Sequence, residues 1–306
     1  MPLVPTPRVE VKQQMTAEDL RAVSSLLERA RRGGGHRLVH ADDAARCLLA
    51  WEPDRSDPVG FGQVFREGPG WSIELVVDPR SAEALPAWQS LILAGVDVVS
   101  HEGGGPVRTW AHEATPDHDV VAADAGLEGE RDLYQMRRRL PLEEPSTLPT
   151  RAFVVGSDEQ SWLEVNNRAF AGHPDQGGWT PDQLPLLEAE PWFEPEGFLL
   201  HEREGRLAGF CWTKVHDEVE PALGEIFVVA VDPDFQGLGL GRRLVLAGLE
   251  CLSRSRLGGQ RLDCAILYVD ASNRAALGLY ESMGFDGHHV DRTYAGAVPP
   301  MSIPKT

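Results

Sequence analysis

A carboxylate and a phenol in the second half of this 306-residue sequence are residue types that proton transfer can use. Glu225 opens an apolar, β-rich run that ends at Val231, and Tyr280 lies in a helix pattern, seven residues after Asn273 and on nearly the same face. Acyl transfer from a thioester to an amine needs a base for the ammonium proton and an acid for the departing thiolate. Glu225 is therefore the candidate base and Tyr280 the candidate acid. The alternative interpretation of Glu225 is a solvated carboxylate at a strand end, and that of Tyr280 is an ordinary core side chain.

Three glycines spaced two apart, Gly237, Gly239 and Gly241, follow the strand and precede a helix pattern. Without side chains, successive backbone N–H groups at a helix N-terminus can surround phosphate oxygens, and Arg242 adds positive charge. The spacing is neither that of a P-loop, which needs a Lys-Ser or Lys-Thr pair at its end, nor that of a G-x-G-x-x-G dinucleotide motif. The pattern that fits is Q-x-x-G-x-G at 236–241, which predicts a pyrophosphate site. A flexible turn is the alternative.

The loop at 236–241 resembles the pyrophosphate loop of the GCN5-related N-acetyltransferases, and N-x-x-A-x-x-x-Y-x-x-x-G-F at 273–285 resembles the last motif of that family. The resemblance implies acetyl-CoA as co-substrate, with the Tyr280 hydroxyl near the coenzyme sulfur. It also implies that the backbone of the preceding strand binds the pantetheine arm. The coenzyme contacts implied by position are Val229, Ala230, Val231, Gln236, Gly237, Leu238, Gly239, Leu240, Gly241, Arg242, Asn273, Arg274, Ala275, Ala276, Leu277 and Gly278.

The two halves of the chain read as copies of one unit. Val-Asp-Pro occurs at 77–79 and at 231–233, and a Gly followed by a large apolar residue ends the last helix pattern of each half, at 126–127 and at 284–285. A stretch rich in Pro, Glu and Ser between the halves reads as a linker. The expected domains are a lead-in at 1–15, a degenerate acetyltransferase-like domain at 16–142, a linker at 143–150 and a catalytic domain at 151–306.

The copies differ where chemistry would take place. Trp71 and Ala122 stand where the second copy has Glu225 and Tyr280, and the loop after the first Val-Asp-Pro has no glycine. The first copy thus keeps the fold without the reactive side chains. We assign catalysis to the second copy and expect the first to bind coenzyme weakly or not at all.

The resemblance implies a mixed α/β fold, an α+β sandwich in which each tandem domain has a mixed, mostly antiparallel sheet flanked by helices. Thr16 with Asp19 predicts the start of a helix, and a second helix is expected at about 42–50. Further helices are predicted at 85–94, 117–125, 159–169 and 273–283, and strands at 60–65, 71–77, 108–111, 132–138, 153–155, 197–202, 207–215, 226–231 and 264–269.

Three strings, at 166–180, 210–216 and 267–273, narrow the resemblance to a tandem branch of the family. This branch acetylates the cysteinyl amine of a cysteinyl-glucosaminyl-inositol, which gives the thiol mycothiol. The substrate contacts implied by position are Asp42, Asp175, Lys214, Glu225 and Tyr268. Asp43 fits almost as well as Asp42, and the branch usually has Glu at the position of Asp175. Such side chains suit a substrate made of hydroxyls and one ammonium.

Two other functions remain open. One is acetylation of another small amine, such as an aminoglycoside or a polyamine. The other is a non-catalytic acetyl-CoA sensor or scaffold that regulates a partner protein. The sensor would have no need of Glu225 and Tyr280, so their presence argues for an enzyme.

The formal net charge of −18 argues against a nucleic-acid partner and suits a cationic small molecule. The four cysteines are far apart and read as reduced core thiols. His173 and His216 have no partner at ligand spacing, so no metal is expected and both are interpreted as loop histidines near a polar pocket. No apolar run approaches the roughly 18 residues of a membrane span, and the first residues lack a signal-peptide core. We therefore expect a cytoplasmic monomer.

Overall fold

The computed structural model describes residues 7–30, 46–52, 57–173, 176–257 and 259–301. No helix in these ranges is long and apolar enough to cross a membrane. The elements of the first half are β1 (Arg8–Lys12), α1 (Ala17–Ala30), β2 (Arg46–Trp51), β3 (Gly60–Glu67), β4 (Gly70–Val77), α2 (Ala84–His101), β5 (Gly105–Ala111), α3 (Pro116–Asp124) and β6 (Glu128–Arg139). Those of the second half are β7 (Arg151–Ala152), α4 (Glu159–Ala169), α5 (Leu184–Glu188), β8 (Phe198–Arg203), β9 (Arg206–His216), β10 (Leu223–Val231), α6 (Leu240–Arg254), β11 (Arg256–Leu257), β12 (Gln260–Arg261), β13 (Cys264–Asp270), α7 (Arg274–Ser282) and β14 (Asp286–Val298).

Two compact units form within the chain, and neither is one continuous segment. The first comprises the described residues of Met1–Tyr134, Asp270–Ser272 and His289–Thr306, and the second comprises those of Gln135–Val269 and Asn273–His288. Most of β14 therefore belongs to the first unit, and the end of β6 belongs to the second. The last strand of each sequence copy is shared in this way, which the repeat pattern alone did not predict.

The first unit has a sheet with strand order β1-β2-β3-β4-β5-β14. Its neighbours are antiparallel except for β4 and β5, which are parallel. Leu91 and Ile92 of α2 pack in one cluster with the strands, and Val23 and Leu26 of α1 pack in a separate cluster that includes Leu49. Because successive strand residues point to opposite faces, the two helices cover the two faces of this sheet.

The second unit has the strand order β6-β13-β10-β9-β8-β7, to which β6 contributes only its end. The pair β10–β13 is parallel, and β10–β9, β9–β8 and β8–β7 are antiparallel. Trp162 of α4 packs with Phe210 and Trp212 of β9 on one face. On the other face, α6 brings Gly248 against Cys211 and Thr213 of the same strand. This layered α/β arrangement confirms the predicted fold class.

Matching backbone hydrogen bonds show that the two sequence copies have the same local structure. Asp78 N donates to Val59 O at 2.8 Å, and Asp232 N donates to Ala208 O at 3.0 Å. At the end of the last helix, Leu127 N donates to Ala122 O at 2.9 Å in the first unit. Phe285 N donates to Tyr280 O at 3.0 Å in the second. Ala122 and Tyr280 are therefore structurally equivalent, as the sequence alignment of the copies predicts.

The aspartate of each Val-Asp-Pro is buried and paired with an arginine from the first helix of its unit. Arg29 Nε lies 2.9 Å from Asp78, and Arg168 Nη1 lies 2.9 Å from Asp232. A buried carboxylate costs stability unless it is paired and hydrogen-bonded. The repeated ion pair thus ties the loop after the central strand to the first helix in both units.

Three local predictions were wrong. The lead-in contains strand β1, which pairs with β2 along its whole length. Residues 46–50 of the helix predicted at 42–50 form β2, and 42–45 lie outside the described residues. The strand expected at 153–155 lies at Arg151–Ala152. Cys47 to Ala50 are all buried, and a short apolar run buried on both sides has no periodicity that separates strand from helix.

Gly248 provides a stability test of the contact between α6 and the sheet. A Cβ added there would lie 2.4 Å from Cys211 Sγ and 2.7 Å from Ile226 Cδ1. We expect Gly248→Ala to lower the free energy of unfolding by about 1–3 kcal/mol, because overpacking forces neighbours to shift. Urea titration measures this change. Gly278→Ala on α7 is the matched control, since nothing lies within 4 Å of its added Cβ. Equal stability of the two variants would contradict the packing described here.

Candidate active site

Strands β10 and β13 pair for only part of their length. They are hydrogen-bonded from Gly224–Ala265 to Ile226–Leu267, although β10 continues to Val231 and β13 to Asp270. Along this remainder, β10 keeps β9 as its partner on the other side. The edge of β10 at 229–231 that faces away from β9 has no strand partner among the described residues. Its backbone groups are therefore available to an extended ligand arm.

The predicted phosphate loop has the geometry that an anion site requires. Gly237 and Gly239 have φ angles of +78° and +70°, which favour glycine, and no heavy atom lies within 4 Å of a Cβ added at either. Gly239 is the N-cap of α6. In the part of the chain that the structure describes, the N–H groups at 237–239 donate to no backbone carbonyl. Open donors at a helix N-terminus fit a diphosphate. Arg242 Nη1, in the first turn of α6, donates to Ser282 Oγ at 3.2 Å.

Glu225 is buried near the start of β10, with 7% of its surface exposed. Its Oε2 accepts a hydrogen bond from His216 Nε2 at 2.7 Å, and His216 Nδ1 lies 3.0 Å from Glu218 Oε1. Burial and the charge of Lys214 lower the pKa of His216, but the hydrogen bonds with both glutamates and the charge of Glu225 outweigh them, so the pKa is raised overall. The interpretation of His216 as a loop histidine was wrong, because it is the last residue of β9 and is bonded to the candidate base.

Three predicted substrate residues share one face of the sheet. Glu225 is the register partner of Lys214 on β9 and of Ile266 on β13, and Tyr268 is two residues beyond Ile266. Tyr268 Oη accepts a hydrogen bond from Gln135 Nε2 at 2.7 Å. Residues that are 54 positions apart in the chain are thus presented side by side, with β10 in the middle.

Aromatic rings hold the side chain of Lys214. Its Nζ lies 4.5 Å from the ring centroid of Trp192 and 5.7 Å from that of Phe227. Phe227 lies where the register of β10 with β9 shifts between Ile226 and Val228. Trp192 contacts Phe227 with ring centroids 5.2 Å apart. The cation–π contacts fix the ammonium near Glu225 without neutralising it, since no carboxylate of the described residues forms an ion pair with Lys214.

Tyr280 is buried on α7, and its ring packs edge-on against Phe285 at 5.9 Å. Burial, together with the nearby Cys211 thiol, raises the pKa of Tyr280 to about 12. The phenol therefore stays protonated at neutral pH. Its hydroxyl has no hydrogen-bond partner within the described ranges, so it can donate to a ligand. The side chain of Cys211 points toward Gly248 of α6, so the neighbouring Tyr280 lies on the α6 side of the sheet. Glu225, the register partner of Lys214, lies on the other side, because residues 211 and 214 of β9 point to opposite faces.

Asn273 is the N-cap of α7, because its Oδ1 accepts a hydrogen bond from Ala276 N at 3.1 Å. The following predicted coenzyme residues, 274–278, form the first turns of this helix. Of these, only Leu277 is buried. Capping leaves the amide NH2 of Asn273 as a possible donor to a ligand.

Two asparagines explain the string at 166–180. Asn166 Nδ2 donates to Gln176 O at 2.9 Å. The side-chain amide of Asn167 bonds the backbone of Trp179: its Oδ1 accepts from Trp179 N at 2.9 Å, and its Nδ2 donates to Trp179 O at 2.8 Å. His173 Nδ1 accepts from Gln176 N at 3.1 Å, which is consistent with its interpretation as a loop histidine. The string thus attaches a loop to α4. Asp175 within it, like Asp42 and Asp43 of the first unit, lies outside the described residues.

Sequence reasoning missed His216 and Trp192 as parts of this site. A signal for His216 was available, because residues two apart on one strand, such as Lys214 and His216, point to the same face. Trp192 gave no local signal, since its contact with Lys214 depends on the tertiary fold. In the five described ranges, no group of three or more His, Cys, Asp or Glu side chains could hold a metal ion.

Comparison with known proteins assigns the class. A sequence model described as the acetyltransferase (GNAT) family matches residues 160–285, which include both Glu225 and Tyr280. A GCN5-related N-acetyltransferase from Sphaerobacter thermophilus has a similar fold, with a TM-score of 0.65, 19% identity and coverage of 97% of this chain and 98% of that one. A tandem GNAT protein from the clavulanic acid pathway has a TM-score of 0.63 at 14% identity, covering 96% and 100%. These structures show the fold alone. The family match and the relatives described next identify the chain as an acyltransferase of the GCN5-related class.

Curated relatives narrow the family. The mycothiol acetyltransferase of Thermobispora bispora is 41% identical over 94% of this chain and 99% of the relative. That of Streptomyces coelicolor is 38% identical over 94% of both. The chain belongs to the mycothiol acetyltransferase family, which confirms the resemblance drawn from its motifs.

The aromatic contact with Lys214 predicts a specific kinetic effect. Trp192→Ala should raise KM for the amine substrate about 3- to 30-fold. The reason is that a cation–π contact contributes about 0.5 kcal/mol at an exposed site and about 2 kcal/mol at a desolvated one. KM for acetyl-CoA should not change, since Trp192 lies on the face opposite α6. Steady-state kinetics with each substrate varied in turn measure both constants. Trp192→Phe keeps a ring face and should recover most of the loss; an equally large defect in that variant would contradict a cation–π role.

Proposed function

We propose that this chain is an acetyl-CoA-dependent N-acetyltransferase that acetylates the cysteinyl amine of a cysteinyl-glucosaminyl-inositol, giving mycothiol and CoA. The observation that carries the proposal is the placement of the buried Glu225 beside Lys214 and Tyr268, at the point where β10 and β13 diverge. Family membership supports the substrate, because the two relatives named above are mycothiol acetyltransferases. A polyhydroxylated substrate with one ammonium suits carboxylate, ammonium and phenol groups on one wall.

Acetyl-CoA, as co-substrate, supplies the acetyl thioester. The unpaired backbone edge at 229–231 would hold its pantetheine arm, and the loop at 236–242 would hold its diphosphate. Asn273 and the first turns of α7 at 274–278 would complete the coenzyme side. The open space around Gly237 and Gly239 supports this assignment, since any side chain there would occupy the anion site.

Two proton transfers divide between the two faces of the sheet. Glu225 takes a proton from the substrate ammonium, directly or through a water, so that the neutral amine can attack. Tyr280 gives its phenolic proton to the departing thiolate, which its raised pKa and its unbonded hydroxyl permit. Transfer is direct. The nearest candidate nucleophile, Cys211, is fully buried, and burial raises the pKa of its thiol, which keeps it protonated.

Substrate recognition is assigned to Asp175, Lys214, Glu225 and Tyr268, all of which belong to the second unit. Asp42 or Asp43 is proposed as a further substrate-binding residue. We expect the protein to elute as a monomer in gel filtration. The degenerate first copy has neither a glycine loop nor counterparts of Glu225 and Tyr280. Catalysis is therefore assigned to the second copy.

The test is release of the coenzyme thiol, followed with a thiol reagent after background correction for the substrate thiol, or by mass detection of the acetylated product. Acetyl-CoA is supplied with the cysteinyl-glucosaminyl-inositol, with the glucosaminyl-inositol that lacks cysteine, and with an aminoglycoside and a polyamine. We expect turnover only with the cysteinyl compound. Preferred turnover of another amine would replace the proposed substrate, and tight coenzyme binding without turnover of any amine would indicate a sensor.

A further inference from the structure

His216 lies between two carboxylates of different exposure. Its Nε2 is 2.7 Å from Glu225 Oε2, and its Nδ1 is 3.0 Å from Glu218 Oε1. The side chains of Glu225, His216 and Glu218 are 9%, 12% and 42% exposed. The candidate base is therefore linked through one imidazole to a carboxylate at the surface.

Both ring nitrogens of His216 face carboxylate oxygens, and a carboxylate can only accept. A neutral imidazole carries one N–H, so only the imidazolium satisfies both contacts. The upward shift of the His216 pKa, in which the two glutamates outweigh burial and the opposing charge of Lys214, agrees with this geometry. The cation makes both bonds charge-assisted and therefore short and directional.

Only one oxygen of Glu225 is used in this way. Within the described residues, Oε2 accepts the bond from His216 and Oε1 accepts none. A carboxylate held at one oxygen has a fixed orientation, and its second oxygen is left for another partner. Side chains that orient a catalytic group in this manner act through it and do not touch the substrate.

We infer that His216 is a positioning residue for Glu225: it holds Oε2, so that Oε1 is presented to the substrate amine, while Glu218 fixes the imidazole from its other side. The inference rests on the proposed role of Glu225 as base. It adds a residue to the reaction that neither the glycine loop nor the last motif contains, and it assigns the short segment after β9 a function at the site.

A double-mutant cycle separates action through Glu225 from independent action. His216→Ala should lower kcat/KM for the amine about 10- to 100-fold and leave KM for acetyl-CoA unchanged. In the Glu225→Gln background the same change should have no further effect, because the group that His216 positions is already lost. If the losses of kcat/KM caused by the two substitutions instead multiply in the double variant, the inference is overturned. His216 would then contact the substrate or stabilise the fold independently of Glu225.

Two further measurements exclude a merely structural role. His216→Gln, which can still donate to Glu225, should recover most of the activity lost in His216→Ala, and free imidazole should restore activity to the alanine variant. Glu218→Gln should give a smaller loss in the same direction. His101→Ala, a change at an exposed histidine of the first unit, is the control and should leave activity unchanged. Failure of both the glutamine variant and imidazole to restore activity in folded protein would overturn the inference.

The outcomes also distinguish this inference from the proposed function. If Glu225→Gln retains activity, the proposed base is wrong, and His216 loses its role with it. If Glu225→Gln is inactive but His216→Ala is fully active, the base stands and only the inference about His216 falls. If His216→Ala does not fold, the glutamine variant and Glu218→Gln still decide the question.

Discussion

With Glu225 replaced by Gln, kcat should fall about 10³-fold, because a positioned general base contributes about 10²- to 10⁴-fold. The amide keeps the shape of the side chain and a group near His216 Nε2, but it cannot take a proton from an ammonium. KM for acetyl-CoA should stay within about twofold, since the phosphate loop is at the other end of β10. Steady-state kinetics with saturating amine measure both values.

Glu281→Gln is the matched control for this substitution. Glu281 is an exposed carboxylate on α7, one residue from Tyr280, and its conversion to an amide should leave kcat unchanged. A parallel fall of kcat and of acetyl-CoA affinity in Glu225→Gln would mean that the carboxylate only holds the site together. If Glu225→Gln regains normal turnover at high pH, where the substrate amine is already neutral, the assignment of Glu225 as base is supported.

Removal of one oxygen atom from Tyr280 should have the second largest effect. Tyr280→Phe should lower kcat about 10²-fold, because the departing thiolate loses its proton donor, while the ring contact with Phe285 is kept. Stability should not fall, since the hydroxyl has no hydrogen-bond partner in the part of the chain that the structure describes. Comparison of kcat with thermal unfolding of the same preparation tests both statements.

The sign of the Tyr280 pKa shift adds a pH prediction. Because the pKa is raised to about 12, the neutral acid persists throughout the mild alkaline range. No alkaline loss of kcat up to about pH 10 should therefore come from Tyr280, and removal of the phenol should not alter the alkaline limb. Tyr294→Phe is the control. Its hydroxyl donates to Asp119 at 2.8 Å, so that variant should lose stability and keep kcat. An unchanged kcat in Tyr280→Phe would remove it from the mechanism.

The short apolar runs were less predictable than the motifs. Residues 46–50, part of the helix expected at 42–50, form β2 and are buried on both faces, and this short apolar run has no polar alternation that separates strand from helix. Strand β1, Arg-Val-Glu-Val-Lys, was missed although its polar and apolar residues alternate as in a half-buried strand, because five residues are a short stretch for such a pattern. In both cases pairing with a neighbouring strand decided the outcome, and such pairing is not visible in a single short segment.

The sequence by itself determined the duplicated fold and singled out the candidate phosphate loop and the candidate acid and base. These features depend on local chemistry: glycines at positive φ, a strand that ends in Val-Asp-Pro, and helix spacing between Asn273 and Tyr280. Only the tertiary structure decided that His216 bonds Glu225, that Trp192 holds Lys214, and that β14 completes the sheet of the first unit beside β5. Those outcomes depend on strand register and on packing between distant segments, where the choice of partner is set by the burial of whole faces and not by any one stretch of residues.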